Sequence, residues 1–239
     1  MSKITRRGYV PTDEKEFRDE NLNKLYEASA DLLYLLNRRY KIKGASTFIG
    51  NHYLLSERQR LALVRGISIY DDVIKRKAKE ITNLSNIEEV CIDGFNTIIT
   101  LEVALSNSLI IKAMDETIRD LAGLRGTYSV IDKTEVVIKL IGEFLLERKI
   151  RKAIFYLDKP VSNSGRLKIK ILEMLEGLGL QIEVLNIDNV DNVLKSKENV
   201  VSSDAIILDN CISWINLNMY IIQEKISNDN CIDFTKLNK

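Results

Sequence analysis

Lys152-Ala153-Ile154-Phe155-Tyr156-Leu157-Asp158 is an apolar run of strand length that stops on an aspartate. A helix is predicted next, over 164–178. Then comes a second run, Gln181-Ile182-Glu183-Val184-Leu185-Asn186-Ile187. Strand, helix, strand is the βαβ unit, which builds a parallel sheet covered on both faces. Working outward, 89–95 reads as an earlier strand ending in Asp93-Gly94. Helices are predicted over 96–106, 115–121 and 134–148, the last on a stripe of Val137, Leu140, Ile141, Phe144 and Leu145. A short strand over 199–202, a short helix over 204–211, a strand over 214–217 and a helix over 218–226 complete the series.

The first third is different. Residues 1–12 read as an irregular arm. Phe17, Leu22, Leu25, Ala28, Leu32, Leu35 and Leu36 recur at helical spacing and predict one helix over 13–40. Residues 41–53 hold Gly44 and Gly50 and read as a connector. Ser56-Glu57-Arg58-Gln59 is a capping box, opening a helix that is expected to run to 81. Residues 83–88 read as a linker.

The chain has 239 residues, 45% of them apolar, with 11 Gly and 2 Pro. That excludes a disordered chain and argues against a many-turned β-sandwich. No apolar run is long enough to span a membrane, and the basic start lacks the apolar stretch of a signal peptide. Cys91, Cys211 and Cys231 are odd in number and far apart, which suits free thiols in a cytoplasmic protein. His52 is the single histidine, which excludes a His-rich metal site; it could serve a Ser-His-Asp triad, but nothing else supports one, so hydrolytic chemistry has to rest mainly on carboxylates. Residues 1–85 carry a net charge of +6 (17 Lys+Arg, 11 Asp+Glu) and the remainder −5. Such a split suggests a basic half for a polyanion and an acidic half for cations or a carboxylate site.

Ligands of an open parallel sheet bind outside the carboxyl ends of its strands. Here those ends are acidic: Asp93 after the first strand, Asp158 after the second and Asp204 after the fourth. Gathered at one edge, three carboxylates repel unless a cation compensates them. Mg²⁺ suits such oxygen ligands and can activate water against a phosphodiester. Taken singly, each aspartate also reads as a turn residue or cap, Asp204 as the N-cap of the next helix. Ser162, Asn163 and Ser164, flanked by Lys159 and Arg166, read either as an ordinary helix cap or as a phosphate cradle. Glu102 either reaches the metal or is solvated. Asp115, Arg119 and Asp120 either line the same cleft or form surface pairs. Arg58, Arg60, Arg65, Lys75, Arg76, Lys77 and Lys79 fall on one predicted helix. With Arg38, Arg39, Lys41 and Lys43, and with Tyr40, Phe48, His52 and Tyr53 among them, they suit an RNA-binding face. Read structurally, they are a solvated helix face.

Asp93-Gly94-Phe95-Asn96-Thr97 is faintly like the nucleophile loop of haloacid-dehalogenase-like phosphatases, but Phe95 stands where that loop needs its second aspartate. No P-loop or Gly-x-Gly-x-x-Gly spacing is present. A closer resemblance rests on Ile92-Asp93-Gly94-Phe95-Asn96, on Asp158-Lys159-Pro160-Val161-Ser162-Asn163-Ser164-Gly165 and on Ser202-Ser203-Asp204-Ala205. With Arg7-Gly8-Tyr9, Ala30-Asp31-Leu32-Leu33 and Leu55-Ser56-Glu57-Arg58-Gln59-Arg60, these resemble an archaeal-type family catalogued as domain of unknown function 434. The Asp-Gly-x-Asn strand end and the late Ser-Ser-Asp are also similar to PIN-like and NYN nuclease domains.

Pattern and resemblance together give an α/β fold: the helical spacing an N-terminal all-α domain over 1–84, and the second resemblance a PIN-like, Rossmannoid three-layer domain with a mostly parallel sheet over 85–239. That resemblance implies a metal-dependent ribonuclease in which Asp93, Asp158 and Asp204 hold Mg²⁺ or Mn²⁺. Asn96, Ser162, Asn163, Ser164, Arg166, Arg58 and Arg60 would then contact RNA. The pattern departs from those nucleases in one place. A second late carboxylate is expected beside Asp204, and the next is Asp209. That departure keeps open a non-catalytic RNA-binding or ribonucleoprotein factor on the same fold. A small-molecule phosphatase and a homodimer also stay open.

Overall fold

The computed structural model describes residues 5–124 and 126–238. The first four residues of the predicted arm lie outside the described residues. Five helices open the chain: α1 (Asp13–Glu16), α2 (Asp19–Asn37), α3 (Ile42–His52), α4 (Glu57–Gly66) and α5 (Tyr70–Ala78). The single helix expected over 13–40 is broken where Phe17 turns into the core and Asp19 takes a left-handed φ of 49°. The predicted connector 41–53 is α3 instead, held by buried Ala45 and Ile49. Gly50 misled the reading because glycine weakens helices. Its role is close approach: a Cβ there would stand 2.5 Å from Arg60 Nη1. The capping box of Ser56 and Gln59 forms as predicted. The helix it opens ends early, at Ile67-Ser68-Ile69, where Ile67 and Ile69 take extended dihedrals.

The second part alternates strands and helices as the runs predicted, except at 115–121 and 214–217. It contains β1 (Glu89–Asp93), α6 (Gly94–Leu105), β2 (Ile110–Lys112), β3 (Ile118–Asp120), α7 (Asp132–Glu147), β4 (Lys152–Asp158), α8 (Ser164–Leu175) and β5 (Gln181–Ile187). After these come α9 (Val190–Leu194), β6 (Val200–Val201), α10 (Ala205–Asn210), α11 (Leu217–Lys225), β7 (Cys231–Asp233) and a closing 3₁₀ turn at Thr235–Asn238. One sheet is wholly parallel in the order β5-β4-β1-β6. Side chains alternate across it, as a strand's period of two requires. Val90, Ile92, Phe155 and Leu157 pack with residues of α6, α7, α8 and α11. Cys91, Ile154 and Tyr156 face the other way, onto α9, α10 and Trp214. Trp214 makes only isolated bridges to Glu80 and Val200, not the strand expected over 214–217.

The predicted helix over 115–121 is a correction. Residues 110–120 form a tight antiparallel pair, β2 with β3, turning at Glu116, whose φ is 66°. Ile110, Ile111, Thr117 and Ile118 are β-branched and favour strand. β7 adds to β2 in parallel, giving a second sheet ordered β3-β2-β7. That sheet completes the interior of the helical layer. Leu109, Ile111, Met114, Ile232 and Phe234 share one buried cluster with Leu25, Leu32, Leu63 and Val73. No helix among the described residues is long and apolar enough to cross a membrane.

The tightest point of this interior is Gly66, where a Cβ would fall 2.2 Å from Phe234 Cδ2. Phe234 is fully buried and has nowhere to retreat. Gly66→Ala is therefore expected to lower stability by about 1–3 kcal/mol through overpacking. Urea unfolding would show it, and an unchanged midpoint would mean the ring can move.

Candidate functional site

Asp93 ends β1, the strand flanked by β4 and β6. Its register opposite Tyr156, with Ile92 opposite Val201, sets it beside Ser202. The next residue must be glycine, since a Cβ on Gly94 would stand 2.5 Å from Leu157 Cδ2 and 3.1 Å from the Tyr156 carbonyl. The Asp93 side chain is buried, and its Oδ2 accepts a 2.7 Å bond from the Ser202 hydroxyl. The same hydroxyl accepts from the Asp204 amide at 3.0 Å. Asp204 caps α10 through Oδ1, which accepts from the Ile206 amide at 2.7 Å. Asp158 Oδ1 accepts from the Val190 amide at 3.2 Å.

These carboxylates share one field. Burial pushes the Asp93 carboxyl up to about 7. The Ser202 bond opposes that rise, while Asp204, Asp191 and Asp158 add to it. Asp191 is itself raised, by burial and then by Asp204 and Asp158. The sequence reading missed Asp191, although the strand-end rule pointed to it. It follows the third long run, past Asn189, which takes a left-handed φ of 60°. None of the four forms an ion pair among the described residues. They also do not converge tightly: among the described residues, no three His, Cys, Asp or Glu side chains are grouped to hold a metal ion.

The other predicted site residues have structural partners. Asn96 Oδ1 accepts from both the amide and the hydroxyl of Ser203, each at 2.9 Å, and so fixes the loop that carries Asp204. Ser162 and Asn163 clamp the Tyr128 backbone rather than presenting free donors. Ser162 Oγ accepts from the Tyr128 amide at 2.8 Å, and Asn163 Nδ2 donates to its carbonyl at 2.6 Å. Ser164 accepts from Asn186 Nδ2 at 3.3 Å, and Arg166 is exposed.

Arg58 is turned inward, bonded to Asp13, to the Leu121 carbonyl at 2.8 Å and to the Gly8 carbonyl at 2.9 Å. Arg60 lies along α3, bonded to the Leu55 carbonyl at 2.9 Å and to Asn51 Oδ1 at 3.0 Å. Glu102 is neither solvated nor near the aspartates. It is fully buried, 2.5 Å from Arg7 Nε, and accepts from Tyr128 Oη at 2.9 Å.

The opposite charges of the two halves meet along the seam between the helical layer and the sheets. Arg76, on α5, bonds Asp115 at 2.8 Å and Asp209 at 2.6 Å. Lys77 reaches Glu116 at 2.6 Å, and Arg65 lies 3.5 Å from Asp120 Oδ1. Arg119 bonds Asp115 at 2.6 Å. Burial opposes the charge on Asp115, but Arg119 and Arg76 outweigh it and hold the carboxyl below its ordinary range. Beside this network the seam opens into a groove of about 350 Å³. Val64 and Arg65 come from α4, Phe95, Asn96 and Ile99 from α6, and Arg119 and Asp120 from β3. Leu124 and residues 203–206 close it, so Asp204 belongs both to the acidic edge and to the groove.

Residues 24–79 match a family described as "Protein of unknown function (DUF434)". Residues 81–220 match one described as "Domain of unknown function (DUF5616)". An uncharacterized protein of Methanocaldococcus jannaschii is 36% identical over 184 residues, covering 76% of this chain and 88% of that protein. No solved structure matches. The second match spans more than half of the chain, and the relative is covered over most of its length; the chain therefore belongs to the DUF5616 family, with a DUF434 segment ahead of it.

Proposed function

We propose that this protein hydrolyses RNA phosphodiesters with a divalent cation held at the Asp93 edge, on a PIN-like or NYN-like version of the three-layer fold. One observation carries the reading. Four aspartates, each following a different strand of one parallel sheet, share one field, and burial first and these neighbours second hold Asp93 at about 7. None of the four is in a direct ion pair among the described residues, Lys195 and Arg119 acting on Asp191 and Asp204 only at longer range, and the donors are the hard oxygens that Mg²⁺ and Mn²⁺ prefer. Asp93, Asp158 and Asp204, with Asp191, are the residues that would hold the ion, one or two directly and the rest through its waters, since no three of them are grouped within direct reach. When bound, such a cation supplies a more acidic water and stabilises charge on phosphate oxygens. The chain's own part is orientation. Ser202 aims the Asp93 carboxylate, and Asn96 fixes Ser203 and so the start of α10.

The helical layer supplies the grip. Tyr34, Tyr40 and Phe48 are exposed, Arg38 lies 3.5 Å over the Tyr34 ring, and exposed Lys41 and Lys43 flank them. Rings and cations together suit stacking on unpaired bases. A second reading, RNA binding without turnover, is favoured by the looseness of the carboxylates.

The purified protein with Mn²⁺, assayed on a broad panel of single-stranded and structured RNA, is expected to cut, and EDTA to stop it. Binding without cleavage, weakening steeply as salt rises, would select the second reading. Neither cutting nor salt-dependent binding would end both.

A further inference from the structure

We propose that the seam groove beside Asp204 seats one nucleobase of the bound RNA, next to the phosphate held at the acidic edge. The inference rests on the hydrolytic reading for its substrate class, but the groove argues for a base on its own chemistry. Its two lips are aliphatic and open to solvent: Val64 is 42% exposed and Ile206 54%. Ile99 also lines the groove. Unpaired β-branched side chains at the mouth of a cleft offer flat apolar contact to a ring.

The polar groups are mixed. Asn96 Oδ1 is occupied by Ser203, while its Nδ2 has no partner among the described residues. Arg65 is partly exposed beside the Asp120 carboxylate. A phosphate gains no net attraction, because Arg65 and Arg119 in the lining are offset by the carboxylates of Asp120 and Asp204, and Arg65 and Arg119 are already engaged by Asp120 and Asp115. A purely aliphatic guest would strip water from Arg65 and Asp120 and return no hydrogen bond. A planar heterocycle satisfies both demands, with apolar faces and an edge carrying donors and acceptors. About 350 Å³ lies within the range of small-ligand sites.

The test is methyl NMR on the full chain, titrated separately with adenosine and uridine 5′-monophosphate. A stacked ring should move the Val64, Ile99 and Ile206 methyls upfield, saturably. Val64→Trp, which fills the slot from an exposed position, should weaken binding by about tenfold or more, the scale of one stacked base. Ile206→Glu, on the opposite lip, should do the same and guards against a folding defect in the first variant. Saturable shifts elsewhere, no shifts at all, or variants that bind as well as the parent would overturn the assignment. Cleavage by the parent without groove shifts would remove the base site and leave the hydrolytic reading standing. Groove shifts without cleavage would do the reverse.

Discussion

Asp93→Asn is expected to abolish metal-dependent cleavage of RNA and, in the same protein, to raise its melting temperature at pH 8. The two effects have one cause. The Asp93 carboxyl is held at about 7, while in the unfolded chain it returns to the ordinary aspartate value near 4. Between those values the native state keeps a proton that the unfolded state has lost. The stability this proton lends is complete below the unfolded value and is lost as pH rises through 7. Above that, the wild type folds around a charge it buries badly. Asparagine keeps the shape and still accepts from Ser202, but carries no charge. The gain at pH 8 should be on the order of 2–4 kcal/mol, or roughly 5–10 °C in melting temperature. Near pH 4 the two proteins should melt together. Cleavage should fall by at least about a hundredfold, with RNA binding retained. Mn²⁺ should stabilise the wild type at pH 8 and not the variant. A variant that melts lower than its parent at pH 8 would show that the charge is compensated by something else.

Arg76→Ala should be among the most damaging single changes outside the apolar core. Arg76 and Asp115 are 3% and 1% exposed, and the pair joins the helical layer to the turn between β2 and β3. Truncation leaves Asp115 with Arg119 alone and frees Asp209. Breaking a buried pair of this kind costs about 3–5 kcal/mol, most of it from the stranded charge. Lysine should not rescue it, because one ammonium cannot reproduce a planar fork that bonds Asp115, Asp209 and Ser68 together. Asp209→Asn should cost under about 1 kcal/mol, since Asp209 is 37% exposed. Urea unfolding of the three variants checks the order. Equal losses for Arg76→Ala and Asp209→Asn would refute it.

β1 and β4 were legible because they are paired on both sides and read as largely apolar runs, and the edge strand β5 because Gln181, Glu183 and Asn186 are interspersed with apolar residues at strand length. The second sheet was not. Its strands have three residues each, too few for any period, and β7 finds β2 across more than a hundred residues of chain. In the helical layer, Gly44 and Gly50 suggested a break where a helix runs, because the packing of Arg60 on Gly50 leaves no local signal. The strand-end rule placed Asp93, Asp158 and Asp204 in one field, and would have placed Asp191 had it been applied after the third run. The basic residues misled most. A lysine or arginine on a helix reads as solvated or RNA-facing by default. The partners that turn Arg58 and Arg76 inward, among them Asp13, the Leu121 carbonyl, Asp115 and Asp209, are distant in sequence and become visible only once the chain is folded.

Phe234 lying on Gly66 carries a consequence for how the molecule is made. The ring that fills the deepest gap of the helical layer is synthesised long after the helices themselves, far along the chain from Gly66. Until it arrives the layer is incompletely filled, so its final packing has to follow the making of the sheets rather than precede it.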